Sequence, residues 1–136
     1  MNNKADKHKT DHHKMSILVV EDNDVLREMF RLALRGEYMV YAARSAKEGW
    51  RLYKEKKPAI VFMDIRLPDG NGHDLTKKIK EDDPQTYVVM ATVNDIVEEK
   101  EKAAHNHADC FIAKPFSKDE IEDIINRCLD LKYRDD

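Results

Sequence analysis

Ala59-Ile60-Val61-Phe62-Met63-Asp64, running on into Ile65-Arg66-Leu67-Pro68-Asp69-Gly70-Asn71-Gly72, is an unbroken apolar run closed by a carboxylate and then by turn-forming residues. So short a run, apolar at every position and bounded by turn signals, reads as a strand buried on both faces. Working outward, the same design recurs at Ile17 to Val20, Tyr38 to Ala42, Tyr87 to Ala91 and Cys110 to Ala113. Helical stretches alternate with these runs five times, the signature of a parallel sheet covered on both faces. Leu26, Met29, Phe30 and Ala33 recur at helical spacing, with Asp22 to Asp24 available as caps and Gly36 as terminator. Ser45 with Glu48 and Ser117 with Glu120 fit the capping box. In the last helix, Ile121, Ile124, Ile125, Cys128 and Leu131 form one apolar stripe that packs on the sheet. The third helix is thin, with Leu75 and Ile79 its main apolar pair. The fourth, from Glu98 to His107, has almost no apolar face and is expected to be the least firmly anchored element.

The chain has 136 residues, which is one domain's worth of sequence. The expected boundaries are a disordered polar tail over 1–14, a domain over 15–132 and a short C-terminal tail over 133–136. The tail's His8, His12 and His13 read as part of a solvated extension rather than a metal site. Net charge is −3 with 38% charged residues, so no surface is built to grip nucleic acid or an anionic membrane. Cys110 and Cys128 lie inside apolar runs and read as reduced thiols. No run approaches the length of a membrane span, and the first residues lack a secretion signal, so a cytoplasmic location is expected.

Each of four strands stops at a polar residue with chemical potential: Glu21 and Asp22 after the first, Asp64 after the third, Thr92 after the fourth, Lys114 after the fifth. The carboxyl ends of parallel strands share one edge of an open α/β sheet, and ligands bind there where strand order reverses. These five side chains are therefore expected to converge. Three carboxylates in one crevice repel one another, and Lys114 supplies a single compensating charge. A small hard cation with oxygen ligands is the natural remainder, and few protein ligands favour magnesium over calcium. No Cys or His ends these strands, which argues against zinc. Taken alone, Asp22 reads as readily as a cap of the following helix.

Together the segments Ile17-Leu18-Val19-Val20-Glu21-Asp22-Asn23, Val61 to Gly72, Val89-Met90-Ala91-Thr92 and Ala113-Lys114-Pro115-Phe116 resemble the receiver domain of two-component response regulators, over Met15 to about Leu131. The resemblance implies a flavodoxin-like, doubly wound (βα)5 fold, a five-stranded parallel sheet of order 2-1-3-4-5. It implies Asp64 as phosphoacceptor and Asp22, Asp64 and the backbone carbonyl of Arg66 as magnesium ligands, with Glu21 acting through water. Thr92 and Lys114 would hold phosphoryl oxygens, and Lys114-Pro115 matches the family's cis peptide. Thr92 and Phe111 match its switch residues, acting on a face formed by the fourth helix, fifth strand and fifth helix. Three positions depart from the usual pattern: Val93 stands where Ala or Gly is general, Phe111 where Tyr is frequent, and His107 where Gly is frequent. Arg66 and Asn94 fall beside the path of an attacking water, with Val93 adding bulk. None offers a carboxylate, so a long-lived phosphorylated state is expected.

The implied function is a stand-alone signalling module, phosphorylated by a histidine kinase or a histidine phosphotransfer protein and read by a downstream protein. It would act as a monomer or as a phosphorylation-dependent dimer. The alternative is a phosphorelay intermediate that hands the phosphoryl group to another histidine. A hydrolase of the haloacid dehalogenase type also uses an aspartate nucleophile, but a second aspartate follows it two places on, where this chain has Arg66. A flavin carrier shares the strand order, yet a phosphate-bearing flavin is repelled by Glu21, Asp22 and Asp64. The length leaves no room for a recognition helix, so output by protein contact is expected.

Overall fold

The computed structural model describes residues 15–92 and 108–134. Five parallel strands form one sheet: β1 (Ser16–Val20), β2 (Met39–Ala43), β3 (Ile60–Asp64), β4 (Tyr87–Thr92) and β5 (Cys110–Ala113). Their spatial order is β2-β1-β3-β4-β5, so the direction of winding reverses beside β1 and β3. This is the expected fold, with strand ends shifted by a residue: β2 runs one residue later than its apolar run, and β3 and β4 each take in the polar residue that closes theirs. Among the described residues there are four helices: α1 (Asp24–Leu34), α2 (Ala46–Lys56), α3 (Gly72–Asp82) and the C-terminal α4 (Lys118–Arg134). The expected fourth helix over Glu98 to His107, the tail over 1–14, and Val93 and Asn94 all lie outside the described residues.

Side chains of a strand point alternately to opposite faces, and this sorts the core into two layers. Ile17, Val19, Phe62, Val89 and Ile112 meet Phe30 and Leu34 of α1 and Ile121, Ile125 and Cys128 of α4 on one face. Leu18, Val20, Val61, Met63, Val88 and Met90 meet Tyr53 of α2 and Leu75 and Ile79 of α3 on the other. The Phe30 ring packs at 5.0 Å from Phe62 and 5.1 Å from Phe116, joining α1, β3 and the segment before α4. Burying a ring of that size contributes on the order of 2–3 kcal/mol.

The helix starts follow the caps with instructive differences. Ser117 and Glu120 close a full capping box, Glu120 N donating to Ser117 Oγ at 3.1 Å and Ser117 N to Glu120 Oε1 at 2.8 Å. Ser45 accepts from Glu48 N at 3.1 Å, but Glu48 Oε1 reaches back one residue further, to Arg44 N at 2.9 Å. The cap of α1 is Asn23, whose side chain accepts from Leu26 N at 3.0 Å. Asp22 is thus not used as the cap, and its carboxylate is left for other work. Neither Cys110 nor Cys128 is in a disulfide.

Candidate functional site

The carboxyl end of the sheet gathers what the strand ends promised. Glu21 directly follows β1, its backbone N donating to Ala43 O of β2 at 2.9 Å, so sheet pairing continues through it. The Arg27 guanidinium donates to the Glu21 carbonyl at 2.8 Å and pairs with Asp24, pinning this turn from the first helical turns of α1. The Glu21 side chain is 3% exposed and both its oxygens are engaged: Lys114 Nζ donates to Oε1 at 2.8 Å and Asn23 N to Oε2 at 3.1 Å. Asp64, the last residue of β3, is 8% exposed and accepts from the same Lys114 Nζ at 3.1 Å on Oδ1. Asp22 is exposed, and its carboxylate joins the other two in a cluster whose oxygens lie within 4.8 Å of one another.

The electrostatics follow from that crowding. Burial, and then the neighbouring Glu21 charge, push the Asp64 carboxyl up to about 6 although Lys114 pulls it down. Burial alone lowers the Lys114 ammonium, but its hydrogen bond to Glu21 and the charges of Asp64 and Glu21 outweigh burial and raise it. One ammonium therefore undercompensates three carboxylates. A donor set of hard carboxylate oxygens on one rim is the chemistry that suits magnesium, and Asp22 is its exposed member.

Thr92 ends β4 at the same edge, its Cα in register with Ala113, while its side chain lies outside what the structure describes. Lys114-Pro115 is a cis peptide. Phe111 is partly buried against the layer that holds Val88 and Met90. Arg66 is exposed and lies in a two-residue antiparallel ladder, Arg66–Leu67 against Gly70–Asn71.

Three contributors to the site gave little sequence signal. Arg27 reads as a surface helix residue until α1 is docked. Gly72 donates its N–H to Ile65 O at 2.7 Å, and a Cβ there would come 2.1 Å from Asp64 O and 2.8 Å from Met63 Cγ, so only glycine lets α3 begin against the backbone of Asp64. Asp69 spans from the loop after β3 to the start of α2, accepting from Ala46 N at 2.7 Å and Lys47 N at 3.0 Å, and those bonds hold its carboxyl below the usual range.

Comparison with known proteins agrees with this geometry. Residues 17–126 match the sequence profile of the response regulator receiver domain. The chemotaxis protein CheY of Halobacterium salinarum is 34% identical over 114 residues, covering 83% of this chain and 95% of that one. The probable transcriptional regulatory protein TcrX of Mycobacterium tuberculosis is 31% identical over 114 residues, and the chain spans 49% of its length. Among solved structures, a CheY-like response regulator receiver domain protein from Methanospirillum hungatei superposes with a TM-score of 0.85 at 26% identity, covering 90% of this chain and 99% of that one.

Proposed function

From the premise that the chain belongs to the response regulator receiver domain family, we propose that it accepts a phosphoryl group on Asp64 in a magnesium-dependent reaction and signals by a change of shape. The observation that carries this reading is Lys114 Nζ lying 2.8 Å from Glu21 and 3.1 Å from Asp64 within a cluster of three carboxylates. A carboxylate oxygen of Asp64 attacks the phosphorus of a phosphohistidine on a kinase or phosphotransfer protein. The O–P bond forms as the N–P bond breaks, and the leaving nitrogen keeps the electron pair. Lys114, already beside the nucleophile, turns to a phosphoryl oxygen as the Asp64 charge is spread over the new group. Thr92 holds a second oxygen.

Asp22, Asp64 and the backbone carbonyl of Arg66 would hold magnesium, which would supply the charge that neutralises the transferring group. Glu21, with both oxygens already engaged, fits a role through water rather than direct ligation. Arg66, Val93 and Asn94 set the lifetime of the acyl phosphate by shielding it from water. Thr92 and Phe111 carry the switch to the face around β5 and α4, which a downstream protein reads. Neither nucleic acid nor a membrane is the target. Among the described residues no helix is long and apolar enough to cross a bilayer, which accords with a cytoplasmic signalling protein.

Incubation with acetyl phosphate and magnesium is expected to add one phosphoryl mass, and Asp64→Asn or a chelator is expected to abolish it. An adduct on Asp64→Asn, or on wild type without metal, overturns the assignment.

A further inference from the structure

On the sheet face opposite α1 and α4, the loop after β3 and helices α2 and α3 enclose an open cleft of about 410 Å³. Its walls include Lys47 and Trp50 of α2, Asp69 and Asn71 of the loop, and Leu75 and Lys78 of α3. Trp50, the single tryptophan of the chain, is only partly buried and stacks on Tyr53 at 5.4 Å. Lys78 Nζ lies 4.3 Å from its ring centroid and Lys54 Nζ 5.2 Å, so the indole carries two ammonium groups. Buried Leu75 adds a second apolar surface.

Around this cleft three lysines, Lys47 and Lys78 in the wall and Lys54 over the Trp50 ring, stand against two carboxylates, Asp69 and Asp74. Among the described residues Lys47, Lys54 and Lys78 form no ion pair within 4.0 Å, whereas Arg51 on the same helix pairs with Glu48 and Glu55. Asp69 is already committed to the backbone of Ala46 and Lys47. α2 has four cationic and two anionic side chains in a chain of net charge −3, so this patch runs against the sign of the whole molecule.

We propose that the cleft between α2 and α3 is a docking site for an acidic segment of a partner protein that seats one aromatic or branched apolar side chain between Trp50 and Leu75 while its carboxylates pair with Lys47, Lys54 and Lys78. The volume suits one large side chain and its flanking backbone, not an extended strand. The lysines supply the charge complementarity that steers and orients an acidic peptide. An acidic peptide can set its carboxylates on the lysines and away from Asp69 and Asp74, whereas a nucleic acid carries a phosphate charge at every step and meets those two carboxylates wherever it lies. The site stands or falls independently of chemistry at Asp64.

The lone tryptophan makes binding directly readable. A short synthetic peptide of glutamates flanking one phenylalanine is titrated into the full chain while Trp50 emission is followed. The expected result is a saturable change that weakens as salt is raised. Exposed Lys47 and Lys78 changed together, Lys47→Glu with Lys78→Glu, are expected to weaken binding by at least about tenfold, or about 1.4 kcal/mol, with the circular dichroism spectrum unchanged. If the double variant fails to fold, Lys78→Gln alone is expected to weaken binding in the same direction. No saturable change, equal binding by the charge-reversed protein, equal binding of a peptide with alanine in place of phenylalanine, or equal binding of a lysine-rich peptide or a single-stranded oligonucleotide overturns the proposal.

Discussion

Asp64 shares one ammonium with Glu21 and is nearly sealed from water, so its ionised form opposes folding when no cation is bound. Its carboxyl is raised from 3.8 to about 6, first by burial and then by Glu21. A group whose folded value lies above its unfolded value contributes stability that is complete below the unfolded value and is lost as pH rises through the folded one. The metal-free domain therefore loses this contribution between about pH 4 and pH 6. Asp64→Asn removes the ionisation, and the variant is expected to be more stable than wild type at neutral pH by roughly 1–2 kcal/mol, discounted for the compensating Lys114 and residual solvent screening. Urea midpoints in chelator across this range check it, and a gap that does not close toward acid pH refutes the electrostatic account. Gly72 tests the same site sterically. With a Cβ 2.1 Å from Asp64 O, Gly72→Ala must displace either the α3 start or the Asp64 backbone. It is expected to cost about 2–3 kcal/mol and to lower the phosphorylation rate of the protein that still folds. A variant with wild-type stability refutes the close approach.

At the scale of elements, the sequence announces where helices begin more reliably than what they rest on. The Ser117–Glu120 box is observed with both of its bonds, and Ser117→Ala is expected to cost about 1 kcal/mol, read as a lowered urea midpoint. Restoring the cap with Ser117→Asp is expected to recover most of it. A null effect of Ser117→Ala shows that α4 is held by Ile121, Ile124 and Ile125 alone. Other supports cross between elements and are silent in sequence. Lys80 of α3 donates to Pro84 O at 3.0 Å, Thr86 O at 2.7 Å and Asp109 Oδ2 at 2.7 Å, and the same Asp109 oxygen accepts from Val88 N at 2.8 Å. Tyr53 Oη of α2 donates to Asp82 of α3 at 2.6 Å. Each clip joins residues 20 or more apart in the chain, as far as Asp82 and Asp109 are concerned, and no local pattern encodes such a pairing. His73 is buried at the start of α3.

For the whole molecule, the proposed phosphorylation at Asp64 has two possible destinations, a direct signal or a relay to another histidine, and one experiment separates them. If the chain signals directly, phosphorylated protein mixed with a histidine phosphotransfer domain is expected to keep its label on Asp64, and gel filtration with beryllofluoride is expected to reveal any dimer made on activation. Rapid loss of label to the added histidine instead supports the relay. The order of apolar runs and helical stretches was enough to establish a doubly wound parallel sheet, because period and connection handedness leave few ways to bury those strands. It was also enough to bring Glu21, Asp22, Asp64 and Lys114 to one edge, since residues that end parallel strands share that edge wherever the helices lie. What tertiary structure alone decided was how each group is spent there. Asn23 and not Asp22 caps α1, because the turn pinned by Arg27 points the Asn23 side chain at the Leu26 N–H. Glu21 is satisfied by Lys114 and Asn23, Asp69 is drawn off to α2, and Gly72 fixes the start of α3 against the backbone of Asp64. These are choices among short-range partners supplied by different elements, and a hydrogen bond or a steric contact is settled within about an ångström, a precision that residue order and periodicity do not carry.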